Sequence, residues 1–176
     1  MEIKGRRLEK LIDASKIEKR VRELAEAIKN DFQEEDEIIV IGVLKGAFIF
    51  TADLSRYLGN KVKIDFLKVS SYGDKMESSR DVKFLMDISE DIENKNVLLV
   101  DDIIDTGRTL QKIVEKLKAR NPKSLKTCVL LDKKERREVD FHADFVGFEI
   151  PDKFVVGYGL DWAEEGRNLK DIYIVV

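Results

Sequence analysis

Residues 97–109 read VLLVDDIIDTGRT. An apolar run enters two adjacent aspartates, Asp101 and Asp102. A third, Asp105, precedes Thr106, Gly107, Arg108 and Thr109, and a helical pattern follows. A strand, a glycine turn and a helix start form a cradle for an anion, because the first amides of a helix lack intrahelical acceptors. Three carboxylates would repel an anion, so a bare phosphate does not account for the stretch. A ligand with both phosphate and hydroxyl groups does. The amides of residues 105–109 and the hydroxyls of Thr106 and Thr109 suit the phosphate, and Gly107 allows close backbone approach. Asp101 and Asp102 can accept hydrogen bonds from vicinal hydroxyls, as on a ribose. A magnesium ion would offset the remaining repulsion, since it favours carboxylate and phosphate oxygens. A Walker-type loop needs a Lys-Ser/Thr ending, and this loop has no lysine. The plainer reading, a turn with solvated caps, leaves two neighbouring carboxylates at a strand end uncompensated.

The elements that position this loop are legible from periodicity. Ser15 and Glu18 form an S-x-x-E capping box, which predicts a helix start there. Ile17, Val21, Leu24 and Ile28 then carry the apolar face to about Asn30. Residues 37–44, EIIVIGVL, read as a buried strand, broken at Lys45 and Gly46, with a helix over 47–58. Further strands are predicted over 62–70, 82–87, 97–100, 125–131, 143–149 and 155–160, with IYIVV closing the chain. A helix over 107–120 presents Leu110, Ile113, Val114 and Leu117 and stops at Asn121-Pro122. Residues 71–81, SYGDKMESSRD, are polar and aperiodic and read as an exposed loop. Alternating strands and helices argue for an α/β fold with a mostly parallel twisted sheet flanked by helices. The strands near the C-terminal end are expected to form a small second lobe over the site. Ligands in such sheets sit beyond the carboxyl ends of the strands, where Lys45, Asp101 to Thr109, and Lys133 fall.

Composition excludes other classes. The 176 residues suffice for one domain, and 43% apolar residues with only two prolines give a globular balance. Charged residues reach 38% but net only −3, so no polycation for nucleic acid is present. No apolar run reaches membrane-span length, and the N-terminus lacks a signal-peptide core. A cytoplasmic protein is expected. One cysteine and one histidine leave no internal disulfide, no structural zinc site and no nucleophilic triad beyond one using His142, which sits in a polar stretch. Cys128, in TCVLL, reads as a buried strand residue.

VLLVDDIIDTGRT resembles the 5-phosphoribosyl 1-pyrophosphate (PRPP) motif of type I phosphoribosyltransferases. VLKGAFIF, KVSSYGD, LLDKKERR and ADFVGFEIPDKFVVGYGLDWAEEGRNL extend the likeness, in order, to the hypoxanthine-guanine phosphoribosyltransferase family. The resemblance implies one domain over residues 1–176. Its core would span roughly 30–145, with a hood from the N-terminal segment and roughly 146–176, and a mobile lid over 70–81 carrying Ser71 and Tyr72. It implies that Asp105, Thr106, Gly107, Arg108 and Thr109 hold the 5′-phosphate, that Asp101 and Asp102 face the ribose and a magnesium ion, and that Asp105 is the general base. The family commonly has Glu-Asp at the acidic pair, so Asp101 offers a shorter arm. Lys45 and Gly46 match the pyrophosphate loop, which often has a non-proline cis peptide before the lysine, and Arg167 matches a pyrophosphate-contacting arginine. On the purine side, Lys133 would donate to a 6-oxo group, Phe154 stack on the base, and Val155 offer its backbone. Asp161 matches a magnesium-linked aspartate beside the purine. Because a lysine only donates, Lys133 suits a 6-oxopurine and disfavours the 6-amino group of adenine. Lys134, Arg136 and Arg137 read as a solvated charge run. The implied activity is purine salvage, giving IMP or GMP and pyrophosphate, in a homodimer or homotetramer. A xanthine-preferring enzyme and a PRPP-sensing nucleic-acid-binding regulator are the alternatives; the presence of Asp105 and the net negative charge disfavour the regulator.

Overall fold

The computed structural model describes residues 1–33, 36–71 and 82–176, with Ser71 described by its backbone alone. The expected lid, 70–81, therefore lies almost entirely outside the described residues, and Tyr72 with it.

Six strands form the larger sheet: β3 (Ile38–Leu44), β4 (Val62–Ser71), β5 (Val82–Met86), β6 (Asn96–Ile104), β7 (Ser124–Asp132) and β8 (Phe145–Glu149), in the spatial order β5-β4-β3-β6-β7-β8. Only β5, at the edge, is antiparallel to its neighbour. Alternation along the strands feeds two cores. Val40, Leu98, Val100, Cys128 and Leu130 face helices α1 (Ala14–Asp31) and α2 (Phe48–Ser55). Ile39, Ile41, Val97, Leu99 and Val129 face helix α3 (Arg108–Lys118), whose Leu110, Ile113 and Leu117 are buried. A sheet covered on both faces explains why its strands read as near-continuous apolar runs.

The chain ends build a second, antiparallel sheet in the order β1-β2-β10-β9, from Glu2–Ile3, Arg6–Ile12, Ile172–Val175 and Val155–Val156. The hairpin of β1 and β2 does not read as strand in the sequence, because its few buried residues, Ile3, Leu8 and Ile12, are too widely spaced among exposed charged positions to show an alternation. Its two-residue turn, Lys4 and Gly5, takes positive φ at both positions, as tight hairpins require. Asp171 locks this sheet to α1 by accepting from the Ala14 amide at 2.7 Å.

Three expectations are corrected. Asp13, not Ser15, caps α1: its Oδ1 accepts from the Lys16 amide at 3.0 Å and from the Ser15 hydroxyl, because a carboxylate outcompetes a hydroxyl at the positive end of a helix. The strand expected over 155–160 stops at Val156, and Gly157, Tyr158 and Gly159 all take positive φ. The strand expected over 97–100 continues to Ile104, so Asp101 and Asp102 are strand residues and not loop residues. The large sheet keeps the chain through Glu149, and the small sheet takes it up again at Val155.

Candidate active site

Among the parallel strands the chain starts at β3, adds β4 on one side, and then crosses to β6 on the other. The topological switch point therefore lies between β3 and β6, where open α/β sheets bind ligands. The two strands part there: their pairing ends at Gly42 and Val100, while β6 runs on to Ile104 beside β7. Acidic side chains take up the backbone amides of the freed stretch. The Asp102 amide donates to Asp101 Oδ1 at 2.9 Å, and the Ile103 amide to Asp102 Oδ1 at 2.8 Å. Burial, and then the Asp102 charge beside it, push the Asp101 carboxyl well above the usual range. Burial also raises that of Asp102, against hydrogen bonds and the more distant Arg167 charge that favour its ionised form.

The strand then turns into the phosphate cradle. Gly107 takes the cap position of α3 with φ 85° and has no side chain to offer, so the helix-end acceptor near it is the Thr106 hydroxyl. A Cβ at Gly107 would press on Arg137 and Val139 at 3.0 and 3.1 Å, so the left-handed turn and its crowding both call for glycine. Asp101, Asp105, Thr106, Gly107 and Thr109 line a cavity of about 160 Å³. A larger cleft of about 390 Å³ lies between α1 and α2 and gathers none of the expected site residues. Arg108 Nε donates to Glu138 at 2.6 Å, the Glu138 amide donates to the Thr106 carbonyl at 2.9 Å, and the Arg108 amide donates to Thr106 Oγ1 at 3.3 Å.

Two arginines from the supposed charge run hold this loop. Arg137 is largely buried. It donates to the Asp105 carbonyl at 2.8 Å, to Asp132 Oδ1 at 2.6 Å and to the Phe141 carbonyl at 2.9 Å. Arg136 Nε donates to Asp105 Oδ1 at 3.0 Å, and that bond raises the guanidinium pKa further. The solvated reading holds for Lys134, which pairs with exposed Glu149. The sequence carries no signal that separates the three. A single turn of 3-10 helix, Lys134–Arg136, sends neighbouring basic residues in different directions.

Lys133 lies at the end of β7, its amide bonded to the Ile104 carbonyl at 3.0 Å, so β6 and β7 place it beside the cradle. Its side chain is only 9% exposed, and its Nζ lies 3.8 Å from Asp152 Oδ1. Phe154 is exposed and meets Trp162 edge-on, with ring centroids 6.1 Å apart. Val155 is buried in β9, in register with Ile174.

Across the switch point, the Leu44–Lys45 peptide is cis, as the resemblance implies. Gly46 is wedged between Asp102 and Gly159: a Cβ on Gly46 would lie 2.0 Å from Asp102 Oδ2, and one on Gly159 would lie 2.1 Å from the Gly46 carbonyl oxygen. Arg167 NH1 donates to the Gly159 carbonyl at 2.9 Å, and NH2 pairs with Asp161 Oδ1 at 2.8 Å. Asp161 Oδ2 accepts from the Glu164 amide at 2.8 Å. Glu164, which sequence reasoning passed over, accepts from Lys45 Nζ at 2.7 Å; that bond holds its carboxyl below the usual range. The structure thus gathers Asp101, Asp102, Asp105, Lys133, Lys45, Gly46, Asp161 and Arg167 at the carboxyl ends of β3, β6 and β7 and the turn facing them. His142 stands at the surface beside Asp140, and Cys128 is buried.

A profile of the phosphoribosyl transferase domain matches residues 8–162. The chain is 56% identical over 174 residues to a hypoxanthine-guanine phosphoribosyltransferase of Aquifex aeolicus, covering 99% of this chain and 98% of that one. The crystal structure of a hypoxanthine-guanine phosphoribosyltransferase from Bacillus anthracis superposes with a TM-score of 0.90 at 48% identity, covering 98% and 100% of the two chains. A Trypanosoma cruzi hypoxanthine phosphoribosyltransferase in complex with the product IMP superposes with a TM-score of 0.90 at 40% identity, covering 100% of this chain and 97% of that one. With its acidic strand end, its glycine-turned helix start and its full-length relatives, the chain belongs to the phosphoribosyl transferase family, within the hypoxanthine-guanine group.

Proposed function

We propose that the protein transfers the 5-phosphoribosyl group from PRPP to hypoxanthine or guanine, giving IMP or GMP and pyrophosphate. The observation that carries this reading is the juxtaposition at the switch point: the Asp102 carboxylate lies against Gly46, while its own strand runs on into the glycine turn and the N-terminus of α3. Phosphate, ribose and pyrophosphate sites then follow one another along one crevice, which matches the three parts of PRPP.

Each residue has a role set by its chemistry. The amides after Asp105, with Thr106 and Thr109, hold the 5′-phosphate at the positive end of α3. Asp101 and Asp102 accept from the ribose hydroxyls. Lys45, Gly46 and Arg167 face the pyrophosphate. Buried Lys133 donates to the 6-oxo group, Phe154 covers the base, and Val155 lends its backbone. Asp105 accepts the proton from the purine ring nitrogen as that nitrogen bonds to the anomeric carbon and the bond to pyrophosphate breaks, with inversion. The Ser71 and Tyr72 segment serves as the lid that excludes water from the oxocarbenium-like state.

The donor set fits magnesium. Asp101 and Asp102 offer adjacent hard oxygens whose ionised form burial disfavours and a cation would favour. Asp161, engaged by Arg167 and the Glu164 amide, would act through that network. Among the described residues no group of three acidic, His or Cys side chains stands ready to hold a metal ion by itself. When bound, the ion supplies charge stabilisation to the departing pyrophosphate.

A cytoplasmic location and a homodimer or homotetramer complete the reading; no helix among the described residues is long and apolar enough to cross a membrane. The test is a steady-state assay with PRPP, magnesium and each of hypoxanthine, guanine, xanthine and adenine. Turnover of hypoxanthine and guanine that chelator abolishes is expected. Preferred turnover of xanthine or adenine, or full activity in excess chelator, would refute the reading.

A further inference from the structure

The Glu164 carboxylate stands between two cations of the pyrophosphate side. Its Oε2 accepts from Lys45 Nζ at 2.7 Å, and its Oε1 lies 3.5 Å from Arg167 NH2. The turn that brings it there is unusual in composition. Trp162 and Glu165 exchange backbone hydrogen bonds of 2.9 and 3.1 Å around a two-residue turn, Ala163 and Glu164, with φ of 47° and 71°. Such turns favour Asn-Gly or Gly at these positions, because a Cβ is disfavoured in the left-handed region. Here a glutamate takes a glycine-like position, and its amide is tied to Asp161 at 2.8 Å. Folding stability does not account for this. Glu164 is 65% exposed and Lys45 49%, and exposed ion pairs contribute little.

We infer that Glu164 is an internal stand-in for the anionic leaving group: its carboxylate occupies Lys45 and Arg167 in the free site, gives way when a diphosphate enters, and returns as pyrophosphate departs. The inference rests on the reading that Lys45 and Arg167 face the pyrophosphate. A group that competes with the diphosphate for the same cations weakens diphosphate binding by the free energy of the contacts it surrenders. It thereby speeds release of the product. Two exposed pairs are worth about 3- to 10-fold in affinity.

The experiment measures binding of inorganic pyrophosphate with magnesium to the whole protein by calorimetry, for the parent, Glu164→Gln, Glu164→Gly and Lys45→Ala. Glu164→Gln keeps the shape of the side chain, and Glu164→Gly relaxes the turn. Both are expected to bind pyrophosphate about 3- to 10-fold more tightly, with a lower KM for PRPP and slower pyrophosphate release. Lys45→Ala is expected to bind it more weakly. Unchanged or weaker pyrophosphate binding in both Glu164 variants, with Lys45→Ala still weakened, overturns the role of Glu164 alone. Unchanged binding in Lys45→Ala overturns the underlying placement of the pyrophosphate.

Discussion

The carboxylate of Asp102 rests directly against the Cα of Gly46: a Cβ built there would meet Asp102 Oδ2 at 2.0 Å. A strand residue of β6 and a residue of the turn after β3 thereby close the crevice floor at the point where β3 and β6 part. Gly159 approaches the same glycine from the opposite lobe, so the position is crowded on two sides.

Gly46→Ala is therefore expected to push Asp102 out of place and to destabilise the fold by about 1–3 kcal/mol, the usual cost of forcing atoms into a filled space. The KM for PRPP should rise together with the fall in stability. Guanidinium denaturation and PRPP titration of the same variant check both effects. Unchanged values would mean that the contact relaxes without consequence.

Asp105→Asn separates chemistry from binding. It keeps the shape of the side chain and the carbonyl held by Arg137, but it cannot take a proton as a carboxylate does. Turnover is expected to fall by about 10²–10⁴-fold, the range of a positioned general base, with PRPP affinity changed little. The measurement is kcat and PRPP affinity at saturating metal. Near-normal kcat would move the base elsewhere.

Lys133→Ala removes one buried charge-assisted donor, worth about 1.5–3 kcal/mol. The KM for hypoxanthine and guanine should rise, and discrimination against adenine should shrink, because the pocket no longer presents a donor that the amino group leaves unpaired. PRPP affinity should stay close to the parent value. A loss confined to PRPP affinity would place Lys133 on the other side of the site.

Arg137→Leu leaves Asp132, only 4% exposed, without its cation. Breaking a buried pair from one side costs about 3–5 kcal/mol. Urea unfolding should show that loss. Arg137→Lys should recover only part of it, since a single ammonium cannot reproduce three guanidinium bonds to Asp105, Asp132 and Phe141. Asp132→Asn in the same assay shows how much of the loss is unpaired charge.

The sequence by itself determined what depends on neighbours along the chain. The apolar run of β6, the turn at Gly107 and the inner face of α3 are local consequences of residue type and spacing, so the phosphate cradle could be read directly. Lys133 and Lys45 could be placed at strand ends for the same reason. Tertiary structure decided what depends on residues far apart. Nothing in KKERR distinguishes Lys134, Arg136 and Arg137; the burial of Arg137 follows from Asp132 and Phe141 closing around it. Residues 155–160 have strand propensity, yet the chain leaves the strand with positive φ from Gly157 to Gly159, and the carbonyls of Asp171 and Gly46, lying where a Cβ would be, admit only glycine at the two outer positions. Ser15 matched a capping box, and Asp13 took the role because a carboxylate binds helix amides more strongly. Glu164 gave no sign in a run of mixed charges. Only the folded turn of Ala163 and Glu164 carries its carboxylate to Lys45, which lies 119 residues earlier in the chain.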